Sequence, residues 1–203
     1  MTRAPGALGL DETLRRHLAA DAKEAADVAE VLAFLERHPD PFDRRILEGH
    51  LTASAVVVSA AGDRALLLHH RKLGRWLQPG GHAEAGERDP ERIALREAWE
   101  ETGLPGLVLH PSAPRPLDVD VHPIPARGDE PAHRHLDLRY LVVAPADGAP
   151  PRLAPAEARA VRWFSWAELP TLDLDSGLRR ALRAARALTS TAPVSRLEEG
   201  ADR

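Results

Sequence analysis

Three glutamates crowd into five positions of one segment, and this crowding limits what the segment can fold into more than any other feature. The three are Glu97, Glu100 and Glu101, within the run REAWEETG. Asp89 is a good helix N-cap, Pro90 suits a first helical position, and Gly103 suits a helix end. The segment therefore predicts an α-helix between Asp89 and Gly103, with close like charges that destabilise it.

A helical wheel places the three carboxylates on one side of this helix. With about 100° per residue, Glu100 and Glu101 lie roughly 60° to one side of Glu97 and 40° to the other. Leu95 and Trp99 lie near the opposite side, which is predicted to face a core. A charged, exposed surface is the ordinary interpretation of such a helix, but the i+4 partner of Glu97 is Glu101 where Lys or Arg would be usual.

A bound divalent cation would relieve the repulsion between these carboxylates. Mg²⁺ and Mn²⁺ prefer oxygen ligands, and Mg²⁺ often takes few protein ligands together with substrate phosphates. Gly80 and Gly81 precede the helix, and glycine allows the backbone to approach a ligand closely. An ordinary turn is the alternative for these two glycines. The chain has no cysteine, so a metal site must use oxygen or nitrogen ligands.

The same stretch resembles the Nudix box, G-x5-E-x7-R-E-U-x-E-E-x-G-U, in which U is a bulky apolar residue. The matching positions are Gly81, Glu87, Arg96, Glu97, Glu100, Glu101, Gly103 and Leu104. The run VRWFSWAEL, at residues 161–169, also resembles the last strand and turn of many Nudix domains. Two departures are an additional residue between Glu87 and Arg96, which puts the placement of Glu87 in question, and Ala98 at a U position.

This resemblance implies an α/β fold, a Nudix-type α/β/α sandwich with a mixed sheet, over residues 49–170. Runs at residues 52–60 and 64–70 separately predict a hairpin of two strands. Apolar residues recur every three or four positions between Asp11 and Arg37, so residues 1–48 are predicted to be an N-terminal helical extension. Its apolar stripe suits either a homodimer or packing on its own domain. Residues 171–203 are predicted to be a last helix, from about Ser176 to Leu188, and a polar tail.

The resemblance further implies a Nudix hydrolase, which cleaves a diphosphate linked to another group, often in a nucleoside diphosphate derivative, with Mg²⁺ or Mn²⁺. The implied metal ligands are Glu97, Glu100, Glu101 and the carbonyl group of Gly81. Glu97, Glu100 and Arg96 are the implied catalytic residues: Glu97 is the first candidate for the base, and Arg96 tethers the carboxylates or stabilises Glu87. Glu157 is a further candidate acid, with an ordinary surface acid as the alternative.

Two strand-like runs supply candidates for substrate binding. Polar residues alternate with apolar ones along residues 117–122 and 133–140, so each strand has a polar side. That side is either solvated or lines the substrate cleft, where His133, His135 and Arg139 would contact substrate or an extra metal ion. Arg71, Arg75 and His82 adjoin the box and are candidates for phosphate contacts, with ordinary loop residues as the alternative.

Two other functional classes compete with a diphosphate hydrolase. Isopentenyl-diphosphate isomerase shares the fold but uses a catalytic cysteine, which this chain lacks. A non-catalytic sensor or regulator that binds a nucleotide is the alternative function, although such proteins usually have a damaged box. The net charge of −4 gives no reason to expect stable nucleic-acid binding. Without an apolar membrane span or a signal-peptide h-region in the sequence, we expect a cytoplasmic protein with no membrane partner and a small-molecule diphosphate substrate.

Overall fold

The structure is a computed structural model that describes residues 9–145, 151–152 and 158–191. Its helices are α1 (Leu10–Arg15), α2 (Ala22–Arg37), α3 (Pro90–Thr102) and α4 (Ser176–Thr191), with a short 3-10 helix at Leu169–Thr171. Its strands are β1 (Gly49–Val58), β2 (Arg64–His70), β3 (Trp76–Leu77), β4 (Gly80–His82), β5 (Val108–Leu109), β6 (Asp118–Ile124), β7 (His133–Val143) and β8 (Ala158–Ser165).

The strands form one mixed sheet in which β1 is central. β1 pairs antiparallel with β2 and with β4, and it pairs parallel with β7. β3 and β8 extend the sheet from β2, whereas β5 and β6 pair with β7, all of them antiparallel. The predicted α/β class, the mixed sheet and the hairpin of β1 and β2 are confirmed.

Helices cover both sides of this sheet, because alternate residues of a strand point to opposite sides. On one side, Leu51 and Ala53 of β1 share a buried core with Ile93 and Ala98 of α3. On the other side, Val56 of β1 belongs to a second core with residues of α4. The second core covers only part of its side of the sheet. Near His50, the ends of β1 and β7 carry polar side chains on that side.

The buried side of α3 differs from the prediction. Trp99 is 55% exposed, and the buried residues of the helix include Ile93, Ala94, Ala98 and Glu101. The small side chains of Ala94 and Ala98 let the helix lie close to β1, so the helix turns this surface to the sheet and leaves the bulky Trp99 outside. The acidic side therefore borders the core, and the prediction that Trp99 faces it was wrong.

The predicted helical region between Asp11 and Arg37 consists of two helices. α1 ends at Arg15, and α2 begins at Ala22, where the side chain of Asp21 accepts a hydrogen bond from the backbone N–H of Glu24. Leu18 lies between the helices and is 92% exposed, so it does not continue the apolar stripe. Val31 and Phe34 of α2 join the core beneath β1, so the stripe packs within the chain. The division of the chain at residues 48 and 170 stays a prediction.

Across the described ranges, the structure contains no helix that is both long and apolar enough to cross a membrane.

Candidate active site

The helix that carries the crowded glutamates is fixed at both ends by its own sequence. The Asp89 carboxylate accepts hydrogen bonds from the backbone N–H groups of Glu91 and Arg92, at 3.1 and 3.4 Å. At the other end, Gly103 adopts a left-handed conformation with φ of 63°, and its N–H donates to the carbonyl oxygen of Trp99. These caps fix the two ends of α3, which packs on one side of the sheet against β1 and β4.

Arg96 lies among three of the acids and offsets much of their repulsion. Its guanidinium group donates to Glu87 through Nη2 at 2.9 Å, and through Nη1 to Glu97 at 3.0 Å and Glu100 at 3.1 Å. Nη2 also donates to the carbonyl oxygen of His82 at 2.8 Å. These bonds hold the pKa of Glu87 below its usual value and that of Arg96 above it, so both groups stay charged.

The loop between β4 and α3 accommodates the additional residue of the box. Within it, the backbone N–H of Glu84 donates to the Glu87 carboxylate at 2.8 Å, and the N–H of Glu87 donates to the carbonyl oxygen of Glu84 at 3.0 Å. This tight turn brings Glu87 to Arg96 despite the longer spacing. Glu87 therefore contacts Arg96 through two nitrogens of the guanidinium group, Nε and Nη2.

The two glycines of β4 lie directly beneath the acids. The N–H of Gly80 donates to Glu101 at 2.9 Å, and Glu101 is only 7% exposed. A Cβ atom on Gly81 would lie 2.8 Å from the Glu97 carboxylate oxygens, closer than a real contact allows. Gly81 therefore gives Glu97 the room to approach the backbone.

The glutamates together offer a graded set of oxygen donors. The side chain of Glu97 is 15% exposed and that of Glu100 is 42% exposed, whereas Glu101 is buried. Carboxylates that extend from the core to the surface suit a hard divalent cation that must also reach a soluble substrate. The residues present therefore fit Mg²⁺ or Mn²⁺.

Most of the polar side of β6 and β7 is buried, including Asp118, Asp120, Asp137 and Arg139, although the side chain of His122 is 38% exposed. The antiparallel register places Asp118 opposite Arg139 and Asp120 opposite Asp137. Arg139 is 3% exposed and donates to all three aspartates at 3.0–3.1 Å. With its donors engaged inside the protein, the position of Arg139 favours a structural role over the predicted substrate contact.

Three of the predicted substrate residues, His82, His133 and His135, meet on this side of the sheet, and His50 joins them. The four imidazoles, here called the histidine cluster, contact one another with ring centroids 4.8–5.3 Å apart. Burial lowers the pKa of His50 to about 4, of His82 to about 3 and of His135 to about 2. These imidazoles are therefore uncharged at neutral pH. Sequence reasoning missed His50, whose proximity comes from parallel pairing with β7.

The remaining candidates lie in an exposed turn or outside the described ranges. Arg71 and Arg75 are exposed in the turn between β2 and β3. Glu157 lies outside the described residues. A shallow cavity of about 420 Å³ is lined by His133 and Arg134 but by no glutamate of α3. The carboxylate oxygens that a divalent cation prefers therefore lie on α3, outside this cavity.

The chain is similar to known proteins of one kind. The family model described as NUDIX domain matches residues 49–185. A putative 8-oxo-dGTP diphosphatase 3 of Mycobacterium tuberculosis is 32% identical over 145 residues, which cover 68% of this chain. The chain spans only 61% of the length of that relative.

Solved structures with the same architecture accompany these sequence matches. A MutT NUDIX hydrolase from Burkholderia pseudomallei is 28% identical, with a TM-score of 0.51 over 67% of this chain and 97% of the other. An Ap4A hydrolase of C. elegans, in a binary complex, has a TM-score of 0.53 at 20% identity over 70% of this chain and 98% of the other. At that identity, the second likeness concerns the fold alone.

Proposed function

The chain belongs to the Nudix hydrolase family, and on that premise we propose that it is a metal-dependent enzyme that cleaves a diphosphate linkage in a nucleoside diphosphate derivative or a related small molecule. The observation that carries the proposal is the set of three box glutamates arranged around Arg96 and the glycines of β4. The similarity to a protein named as an 8-oxo-dGTP diphosphatase supports a nucleotide substrate.

We propose that Glu97, Glu100, Glu101 and the carbonyl group of Gly81 hold Mg²⁺ or Mn²⁺. A bound ion would neutralise the diphosphate oxygens and lower the pKa of the attacking water. In support, the acids surround the approach to β4, and their mutual repulsion is only partly offset by Arg96. The hydrogen bond from Gly80 keeps one oxygen of Glu101 oriented while its other oxygen can serve as a ligand.

Within this site, the carboxylate of Glu97 is the proposed base, which accepts the proton of the attacking water on one of its oxygens. Arg96 positions Glu97 and Glu100 with a single nitrogen, so the two carboxylates keep a fixed separation during turnover. Arg71 and Arg75 are proposed to contact phosphate groups of the substrate. Both side chains are exposed in the turn between β2 and β3, where a guanidinium group can form two parallel hydrogen bonds to a phosphate.

The test is hydrolysis of a library of diphosphate compounds, followed as phosphate or nucleotide release with and without Mg²⁺. Glu97→Gln should lower kcat by on the order of 100-fold or more while the protein stays folded. Glu91→Gln, in the first turn of the same helix, is the matched control and should leave kcat within about twofold. Full turnover in excess EDTA would contradict the proposal. Tight nucleotide binding with no turnover of any compound would instead support the sensor alternative.

A further inference from the structure

We propose that the histidine cluster, His50, His82, His133 and His135, is a binding site for a transition metal ion such as Zn²⁺, separate from the glutamates of α3. The four side chains come from β1, β4 and β7, which are neighbours in the sheet. The parallel register aligns His50 with His135, and the antiparallel register aligns His82 with Thr52, two residues along β1. All four therefore lie on one side of the sheet.

The distances between the imidazole nitrogens are close to those between nitrogens that bind one shared ion. The Nε2 atoms of His82 and His135 are 3.1 Å apart. Two nitrogens bound to one tetrahedral Zn²⁺ at 2.0–2.1 Å lie roughly 3.3–3.4 Å apart. Ligand atoms of His50, His133 and His135 lie within 4.8 Å of one another. To reach the ligand spacing of Zn²⁺, these nitrogens would have to approach one another by up to about 1.4 Å.

His133 is oriented as metal-binding histidines are. Its Nδ1 lies 3.0 Å from the carbonyl oxygen of Pro131, to which it donates, and in the neutral ring this leaves the lone pair on Nε2. Nε2 is buried with no hydrogen-bond partner among the described residues, and the Glu130 carboxylate stays 3.8 Å away. A histidine that donates one N–H to a carbonyl group and turns its other nitrogen inward is the usual arrangement around a bound metal.

His50 provides a second, independent observation. It is 1% exposed, and within the described part of the chain neither of its ring nitrogens has a hydrogen-bond partner. An unpaired buried polar group destabilises the folded state, so an apolar residue would serve better if packing were the only role. Burial also keeps His50 uncharged, the form of the ring that binds metal ions.

The nitrogen ligands of the histidine cluster favour a different metal ion from the one that the glutamate oxygens favour. Imidazole nitrogens favour Zn²⁺, Co²⁺, Ni²⁺ or Cu²⁺, whereas carboxylates favour Mg²⁺ and Mn²⁺. The two sites also lie on opposite sides of β4, since Gly81 faces Glu97 and the adjacent His82 faces His135. These contacts favour metal binding for His82, His133 and His135 over the predicted contact with substrate.

Titration with Co²⁺ tests the proposal. The protein carries no affinity tag, is freed of metal with EDTA and dialysed, and is held in millimolar Mg²⁺ to fill the glutamate site. We expect one equivalent of Co²⁺ to bind with the visible absorption bands of tetrahedral nitrogen ligation. His133→Gln and His135→Gln should each weaken binding at least tenfold, and the double variant should lose the bands. His69→Gln, on β2, is the matched control and should bind like the unchanged protein.

Two further measurements separate this site from the hydrolase proposal and from misfolding. Glu97→Gln should bind Co²⁺ as the unchanged protein does, whatever its activity, and loss of the bands in that variant would overturn the separate site. Zn²⁺ should raise the melting temperature of the unchanged protein but not of the double variant. If the double variant does not fold, the Co²⁺ titration is repeated with His82→Gln, a substitution at a less buried position. An unchanged Co²⁺ spectrum and affinity in that variant would overturn the proposal.

Discussion

Arg96 is the residue that makes the acidic side of α3 compatible with a folded helix. Its planar guanidinium group reaches Glu87, Glu97 and Glu100 at once, which the single ammonium group of a lysine does not do. The positive charge alone is therefore insufficient; the fixed geometry of its donors matters as well.

We expect Arg96→Lys to lower kcat/KM at least tenfold on a substrate that the enzyme turns over, about 1.4 kcal/mol of transition-state stabilisation. The variant keeps the positive charge, but Glu97 and Glu100 lose the nitrogen that donates a hydrogen bond to both. Arg92→Lys, one turn earlier on the same helix and exposed, is the control. Steady-state kinetics that are equal for the two variants would show that Arg96 is not a positioning residue.

Glu87 should make the stability of the protein depend on pH. Its pKa is held below the ordinary value of 4.5, chiefly by the hydrogen bonds from Arg96. A lowered folded-state pKa contributes stability above the unfolded-state pKa, and this stability is lost as the pH falls through the folded-state pKa. We expect the unchanged protein to melt higher than Glu87→Gln at pH 7, and the difference to shrink below about pH 4.5. A difference that stays constant from pH 7 to pH 3 in thermal melts would contradict this account.

Among the elements, α3 was predictable because the signals that start and end it are local. Asp89, Pro90 and Gly103 mark its bounds in the sequence and in the structure. The division of the N-terminal region was harder to predict, because the segment between α1 and α2 contains neither proline nor glycine. Local and tertiary bonds hold the break together: the Asp21 side chain accepts from the N–H of Glu24, and the Glu24 carboxylate accepts from the N–H groups of Ala20 and of Val119 of β6.

The N-cap of α3 gives a prediction at this scale. Asp89→Ala should reduce the free energy of unfolding by about 1 kcal/mol, because two backbone N–H groups lose their acceptor. Asp89→Asn keeps an acceptor oxygen and should stay within about 0.5 kcal/mol of the unchanged protein. Urea denaturation measures both. Equal losses in the two variants would assign the effect to charge and not to capping.

The start of α4 gives a second prediction for a helix. A Cβ atom on Gly177 would lie 2.5 Å from Asp120 Oδ1 and 2.8 Å from Arg139 Nη1. Alanine ordinarily favours a helix by about 1 kcal/mol over glycine, but here the clash should prevail and cost about 1–3 kcal/mol net. Ser176→Ala, at the adjacent exposed position, should change stability by less than about 0.5 kcal/mol. A stabilised Gly177→Ala variant in urea denaturation would refute the close approach.

Across the whole molecule, a buried ionic network joins the sheet to the helices on both sides. Arg139 of β7 binds Asp118 and Asp120 of β6, and Arg180 of α4 also binds Asp118, at 2.6 Å. Lys23 of α2 reaches Asp120 at 3.0 Å. The network thus fixes α2 and α4 relative to β6, and it explains why the polar sides of these strands are buried.

Removal of Arg139 should therefore destabilise the entire fold. Arg139→Ala leaves three buried aspartates without their common partner, and we expect a loss of about 3–5 kcal/mol in the free energy of unfolding. Arg134→Ala, on the same strand as Arg139, breaks a partly exposed ion pair with Glu30 of α2 and should cost less than about 1 kcal/mol. Similar losses for the two variants in urea denaturation would show that the network is not a unit.

Motifs within one segment made the family, the sheet class and the acidic helix predictable, whereas contacts between distant segments were not. The alternation along β6 and β7 identified His133, His135 and the aspartates as one polar surface. It did not show that this surface is buried, because the covering residues Lys23 and Arg180 lie far away in the chain. His50 escaped notice for the same reason: parallel pairing over 85 positions brings it to His135.

The three-residue strand β4 has a consequence for how this chain can change. An insertion or deletion of one residue inside β4 would exchange the orientations of its side chains, since orientation alternates at each position. The imidazole of His82 would then point into the space that Glu97 fills above Gly81, and the partner of His135 would be lost. An insertion or deletion has no such effect in the loop between β4 and α3, which already accommodates the additional residue of the box. Lineages of this chain should therefore vary in length after His82 but keep the even-odd parity of Gly80, Gly81 and His82.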